Sequence, residues 1–298
     1  MTSIARIIPD VSIILVNWNT RDLILACLEA LPQAIGNLLA DVWVVDNASV
    51  DGSVPAIRER HPEVSVIENS ENSGFAAANN QAIMASAGRY VLLLNSDTIP
   101  LPSSIEHLVR FAGAQPRAGI IGAQLLNPDH SFQGSYADFP SLASELLSAT
   151  GLGVRIYGDW YPNYGPQHSG LTRRVDWVQG ACMLARRAAV AHVGCMDEQY
   201  FMYSEETDWC LRMWRAGWEV WYLPEAQIIH YGGQSTRQVR EAMVRALYRS
   251  KVRFFRKHYS RTAAAILQAV LAGVLSAKQL GGAFSTPRAS NISSAPRG

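Results

Sequence analysis

Carboxylates and one imidazole, each placed where an apolar run stops, are the side chains of this sequence best suited to chemistry. Asp97 closes Tyr90–Asp97 (YVLLLNSD), an apolar run that turns polar at Asn95-Ser96-Asp97. Such a run fits a strand buried on both faces, and ligands of open parallel sheets bind beyond the carboxyl ends of strands. No Arg or Lys follows Asp97 closely in sequence, so the carboxylate invites a divalent cation; the other reading is a turn or helix-capping Asp. His230 ends a second apolar run (QIIH), where a metal role competes with a structural one. Asp46 ends a third run and opens DNASVDGS, where a carboxylate can accept from a ribose, or from the ring N–H of uracil or thymine. An Asx turn is its alternative, and for Asp51 in the same segment the turn is the preferred reading.

Glu205, Glu206 and Asp208 crowd three carboxylates into the first turn of one helix. Acids there suit the helix dipole, but three repel one another and Ser204 already stands at the N-cap position. Glu205 and Asp208 share a face, while Glu206 points about 100° away. One acid can then work as a base on a sugar hydroxyl while the others orient the helix or meet an Arg. Asn72-Ser73-Gly74-Phe75 leads into a helix of small residues whose N-terminus suits a diphosphate. Asn79 and Asn80 are poor helix formers, so at least one is expected to bond a ligand or a neighbouring loop.

The elements that must carry these groups alternate. Strands are expected at Val11–Val16, Val42–Val45, Val64–Glu68 and Tyr90–Leu94, and helices at Arg21–Leu31 (capped by Asn19 or Thr20), from Pro55 to Arg60, at Phe75–Ala87 and, opened by Pro102, at Ser103–Ala114. Thr98 and Pro100 argue against further strand after Asp97. This is the pattern of an α/β fold, a mostly parallel sheet with helices on both faces. No GxGxxG follows the first strand, which argues against a dinucleotide fold. A further strand is expected at Gly119–Leu126, then a long connection, a lid or acceptor segment, from Asn127 to Thr172. Val175–Ala185 reads as one strand, Arg187–Val193 as a short helix, a helix from Ser204 ends at Gly217, and Glu219–Leu223 and Gln227–His230 close as two strands.

The chain has 298 residues and a net charge of +1, which does not suggest a nucleic-acid partner. Four cysteines without a CxxC pair, three of them in apolar patterns, favour core thiols and a reducing, cytoplasmic setting. The first ten residues lack the apolar core of a signal peptide, and no run reaches the about 18–20 apolar residues of a membrane span. Near the C-terminus, Arg237, Arg240, Arg245, Arg249, Lys251 and further basic residues to Arg261 face a single acid, Glu241, and an apolar stretch, Ala263–Ala277, follows. A basic amphipathic helix before an apolar one suits an anionic membrane surface, with a solvated basic face as the alternative; Ser285–Gly298 reads as a disordered tail.

Seven segments together resemble the family 2 glycosyltransferases of GT-A fold, and among them bacterial rhamnosyltransferases and galactofuranosyltransferases. They are VNWN (Val16–Asn19), DNASVDGS (Asp46–Ser53), ENSGFAAANN (Glu71–Asn80), LLLNSD (Leu92–Asp97), VDWVQGACML (Val175–Leu184), FMYSEETDWCLR (Phe201–Arg212) and IIHYGG (Ile228–Gly233). The resemblance implies a glycosyltransferase domain over residues 1–236, with a nucleotide half at 11–126 and an acceptor half at 127–236, and a helical tail at 237–284. It implies inverting transfer, rhamnose favoured, from a dTDP- or UDP-linked sugar to a lipid-linked or polysaccharide acceptor in envelope glycan synthesis, at the inner face of the cell membrane. By position, Asn17, Asn19, Asp46, Asn72, Gly74, Asn79, Asn95 and Ser96 would bind the donor. Asp97 and His230 would hold Mg2+ or Mn2+, Glu206 would be the base with Glu205 and Asp208 in support, and Asp176 and Trp177 would lie near the acceptor. Asn95 departs from the family's DxD motif, standing where its first Asp is found. A nucleotidyltransferase, lowered by the missing Gly-rich loop after Val16, and a catalytically silent nucleotide-sugar-binding protein are the alternatives.

Overall fold

A computed structural model describes residues 8–234 and 239–280. Arg237 and the expected disordered tail at 285–298 lie outside the described residues. The chain divides into two compact units, residues 1–139 with 163–251, and residues 140–162 with 252–298; the division expected at 236 falls inside the first.

The first unit is built on a mixed, mostly parallel sheet. Strands β1 (Val11–Asn17), β2 (Ala40–Asp46), β3 (Ser65–Glu68) and β4 (Tyr90–Asn95) are mutually parallel. Three more follow, β5 (Thr98–Pro100), β6 (Ala118–Leu126) and β7 (Phe132–Gln133). Two short strands, β8 (Tyr136–Ala137) and β10 (Trp177–Val178), pair as a separate ribbon, and β9 (Arg173–Arg174) joins the main sheet. β11 (Cys182–Arg186) and β12 (Glu219–His230) complete the order β3-β2-β1-β4-β11-β6-β12-β5. β11 runs antiparallel to both neighbours, β4 and β6.

The helices cover both faces, as the alternation predicts. Ile13, Leu15, Leu92 and Leu94 pack with α1 (Arg21–Ile35), α2 (Ser53–Arg60) and α4 (Ser104–Ala114) on one side. Ile14, Val91 and Leu93 pack on the other with α3 (Phe75–Ala85), α7 (Arg187–Val193) and α8 (Glu205–Arg215). Side chains alternate faces along a strand, so neighbours such as Ile13 and Ile14 enter different cores. Ala76, Ala78 and Ala82 are buried, and these small residues bring α3 close to the sheet.

Several expected boundaries move for identifiable reasons. Pro55 is the third residue of α2, which begins at Ser53, and α4 begins at Ser104, two residues after Pro102. A strand does follow Asp97: β5 lies at the sheet edge, where Pro100 breaks no inner ladder. The strand expected over Val175–Ala185 breaks at Gln179–Ala181, β10 leaving for the ribbon. The two closing strands are one, β12, whose pairing with β6 slips between Leu223 and Gln227 around Pro224, a residue with no N–H to give.

The second unit holds α5 (Leu142–Thr150) and α6 (Leu152–Tyr157) within the segment expected as a connection. α9 (Arg240–His258) and α10 (Arg261–Leu280) are the helices expected in the tail. Among the described residues no helix is long and apolar enough to cross a membrane.

Candidate active site

The parallel register sets three polar side chains on one rim. Asn17 pairs with Asp46 across β1 and β2, and Val16 pairs with Asn95 across β1 and β4. Beyond this rim lies a cleft. Asn72, Gly74, Asn95, Ser96 and Asp97 line it, together with Trp18 and Phe75.

Asp97 and His230 meet there because β5 and β12 form an antiparallel ladder. His230 pairs with Thr98, and the Tyr231 N–H donates to the Asp97 carbonyl at 3.0 Å. The Asp97 Oδ1 then lies 3.4 Å from His230 Nε2, and its Oδ2 accepts from the Gln234 N–H at 3.4 Å. Burial pushes the Asp97 carboxyl up, but the hydrogen bond and charge of His230, with the Gln234 N–H, outweigh it and hold the group below the usual carboxylate range. Gln133, on β7, places its Oε1 2.7 Å from His230 Nδ1 and donates from Nε2 to the His230 carbonyl at 3.1 Å. With Nδ1 held by Gln133, Nε2 faces Asp97 and Asn95, whose Nδ2 is 3.5 Å away, the side from which a metal would be met. Gln133 escaped the sequence analysis because its stretch shows no periodicity; its strand is two residues long.

A carboxylate oxygen beside an imidazole nitrogen suits Mn2+ or Mg2+. Among the described residues no group of three or more His, Cys, Asp or Glu gathers as a metal site. Asp97 and His230 would supply at most part of a donor set, to be completed by substrate phosphate and water.

Glu206 is not among the residues that line the cleft; it lies across Gly180 from Phe75, which does, an added Cβ on Gly180 being 3.7 Å from both the Glu206 Cβ and the Phe75 ring. Two consecutive non-glycine residues in left-handed conformation, Tyr203 (φ 70°) and Ser204 (φ 67°), turn the chain into α8, and strain of this kind collects at functional sites. Ser204 makes no side-chain cap bond, contrary to its expected role. The three acids separate as the helix geometry predicts. Asp208, fully buried, accepts from Arg212 Nε at 2.8 Å, and Arg212 also donates to the carbonyls of Val193 and Cys195. Glu205 is 4% exposed, and Glu206 is partly exposed. Each has one buried oxygen, Oε2, without a hydrogen-bond partner. Burial, then the charge of Glu206, pushes the Glu205 carboxyl well up; burial pushes Glu206 up to about 7. Replacing Arg212 with Met should cost about 3–5 kcal/mol, because Asp208 would stay buried without its countercharge; thermal or urea unfolding reads this.

Of the expected donor residues, Asn17, Asn19, Asp46 and Asn79 are not among those that line the cleft, and Ser96, which does, is tied to Thr20. Asn17 is buried, giving Nδ2 to Asp46 Oδ1 at 2.8 Å and taking the Thr20 hydroxyl at 2.7 Å. Asp46, 3% exposed, accepts with its other oxygen from the Ser49 N–H at 2.8 Å, so it also forms a turn. Asn19 accepts from the Val50 N–H, and Ser96 meets the Thr20 hydroxyl at 2.9 Å. Asp51 forms the expected turn, accepting from the N–H groups of Arg21 and Ser53. The Phe75 N–H at the start of α3 is taken by the Phe201 carbonyl. Asn79 bonds back to the Phe75 carbonyl, while Asn80 reaches a loop, donating to Met196 O and Glu198 Oε1. Asp176 and Trp177 lie away from the cleft lining and brace the β8–β10 ribbon, through the Phe139 N–H and the Asp138 carbonyl.

Comparison with known proteins bears on the fold and the family. Two solved structures share the fold. A mannosyltransferase from Pyrobaculum calidifontis, in complex with GDP-Man and Mn2+, has a TM-score of 0.53 and 16% identity over 94% of this chain and 77% of its own. GalNAc-T7 with UDP, GalNAc and Mn2+ has a TM-score of 0.59 and 13% identity over 84% and 48%. An N-acetylglucosaminyl-diphospho-decaprenol L-rhamnosyltransferase of Mycobacterium tuberculosis is 32% identical over 78% of this chain and 80% of its own length. The rhamnosyltransferase WbbL of Escherichia coli is 41% identical over 21% of this chain and 24% of its own. The profile of Glycosyl transferase family 2 matches residues 12–192, more than half of the sequence, and the chain belongs to that family of glycosyltransferases.

Proposed function

We propose that this glycosyltransferase moves L-rhamnose from a dTDP- or UDP-linked donor to a lipid-linked saccharide in cell-envelope glycan synthesis, with inversion at the anomeric carbon. The observation that carries the reading is the similarity to the mycobacterial L-rhamnosyltransferase along most of both chains. The contact between Asp97 and His230 at the cleft, with Glu206 next to Gly180 at the start of α8, supports it.

Asp97 and His230 would hold Mg2+ or Mn2+, which when bound neutralises charge on the diphosphate leaving group. Gln133 keeps the His230 ring turned toward that position. Asp46, with two of about four carboxylate lone-pair sites engaged, keeps acceptor capacity for a base or ribose edge. Asn72, Asn95 and Ser96 offer polar groups to the donor from the cleft wall. Glu206 takes the proton of the acceptor hydroxyl as that oxygen attacks C1 from the face opposite the nucleotide. The nucleoside diphosphate departs with its bonding pair, and the proton stays on Glu206. Asp176 and Trp177 act on the acceptor side through the ribbon they hold. The acceptor's lipid places the enzyme at the cytoplasmic face of a membrane, where the basic α9 suits anionic headgroups.

Purified protein with Mn2+ and N-acetylglucosaminyl-diphospho-polyprenol should transfer from dTDP-rhamnose and produce a product of inverted anomeric configuration. Transfer from a different nucleotide sugar alone would overturn the choice of donor. Because burial holds Glu206 up to about 7, transfer should rise with pH to a plateau above about 7. The slope on the acidic limb of kcat/KM reads this; a rate independent of pH between about 5.5 and 8 would remove Glu206 from the role.

A further inference from the structure

We propose that α6 and the basic residues of the second unit form a surface that docks on an anionic lipid bilayer, with α6 entering the headgroup layer. This deepens the reading above by naming the contact with the membrane that would carry its lipid-linked acceptor.

α6 is six residues, LGVRIY, between Gly151 (φ 73°) and Gly158 (φ 90°), both left-handed. Its single buried residue is Gly153, packed on the Tyr161 ring. Leu152 is 48% exposed, Val154 43%, Ile156 60% and Tyr157 65%. Large apolar side chains exposed one at a time, such as Val50 or Met84, are ordinary. Leu152 and Ile156, four apart, lie side by side on one face with Tyr157 next to Ile156, and exposed apolar neighbours of this kind mark surfaces that bind something. A helix this short has little stability of its own, so its place rests on its neighbours. α5 packs on α6 and α10 packs on α5, and the Tyr259 hydroxyl, between α9 and α10, bonds the Pro140 carbonyl just before α5.

Charge and composition select the occupant. The same unit carries Arg155, Arg253, Arg256, Lys257 and Arg261 against Asp159 and Glu145, and Glu145 is buried. Tyr157 stacks on Tyr161 at 5.2 Å, and Trp160 lies between them in sequence; Tyr and Trp are the residues enriched at membrane interfaces. A six-residue helix is about 9 Å long, far short of a span, and suits the boundary between headgroups and acyl chains. Apolar side chains, interfacial aromatics and surplus basic charge together describe a bilayer surface better than a protein groove, which asks for complementary shape.

The test is flotation of the full-length protein with vesicles of equal parts phosphatidylglycerol and phosphatidylethanolamine, beside vesicles of phosphatidylcholine. The wild type should bind the anionic vesicles and release at high salt. Ile156→Ser with Tyr157→Ser should weaken binding by about tenfold or more. Arg256→Ser with Lys257→Ser should weaken it by about tenfold and flatten the salt dependence. Val50→Ser with Met84→Ser should bind as wild type does, and nucleotide binding measured on each preparation confirms that the variant is folded. Equal binding by wild type and the α6 variant, equal binding to both vesicle types, or loss of self-association in place of vesicle binding would each overturn the proposal. The vesicles hold no acceptor, so the outcome does not depend on which sugar is transferred.

Discussion

Replacing Glu206 with glutamine should lower sugar transfer by about 10²–10⁴-fold, the usual worth of a positioned base, while nucleotide affinity stays near wild type. The amide keeps the shape of the side chain beside Gly180 and Phe75 but cannot take the acceptor's proton. Glu205→Gln should cost less than about tenfold in rate, since Glu205 is 4% exposed and its carboxyl is pushed well up by burial and by the charge of Glu206. Initial rates and calorimetric titration of the nucleotide on both variants separate the two acids. If the larger loss fell on Glu205, the roles would be exchanged. Stability gives an independent reading. A carboxyl raised in the folded state favours folding fully below its unfolded value, near 4.5, and that contribution is lost as pH rises through the folded value, about 7 for Glu206. Glu206→Gln should therefore melt above wild type at pH 8 and converge with it in acid. Higher stability with lower activity is the signature of a group kept buried for its chemistry.

Asp97→Asn should reduce transfer by about 10²-fold or more and abolish the metal dependence of nucleotide binding. The substitution keeps a hydrogen-bonding side chain at the cleft but removes the charge that His230 and the Gln234 N–H hold in place. Titrating nucleotide with and without Mn2+ is the decisive measurement. Wild type should bind more tightly with the ion, and the variant should show no difference. Gln133→Leu should give a milder form of the same defect, a higher Mn2+ requirement with kcat largely kept at saturating ion, because it acts only through the ring of His230. Metal-dependent binding unchanged in Asp97→Asn would mean that the ion is held elsewhere.

The elements most legible in the sequence were those whose apolar run or small-residue helix had to be buried. β1, β2 and β4 lie within a residue or two of their expected ends, and α3 packs on the sheet through the alanines that suggested it. Asp97 and His230, 133 positions apart, could be suspected separately from their strand ends. Their contact depends on β5, a three-residue edge strand whose Thr and Pro read as a stop. Local pattern carries no trace of a pairing that distant. Gln133 was hidden for the same reason. Asn17 and Asp46 show the opposite limit: polar residues at a strand end look alike whether they face a ligand or each other, and here they bond each other. Asp208 was legible in part, since an Arg four residues on is its natural partner along a helix.

The antiparallel strand β11 has a consequence for how the protein is made. It fills the place between β4 and β6 although it comes some 60 residues after β6 in the chain. A ribosome that has released only the first 126 residues has exposed both of those strands with nothing between them, and unpaired strand edges invite association with other chains. The central sheet cannot close until the segment through Arg186 has emerged, so a fragment ending at Leu126 should be recovered as aggregate.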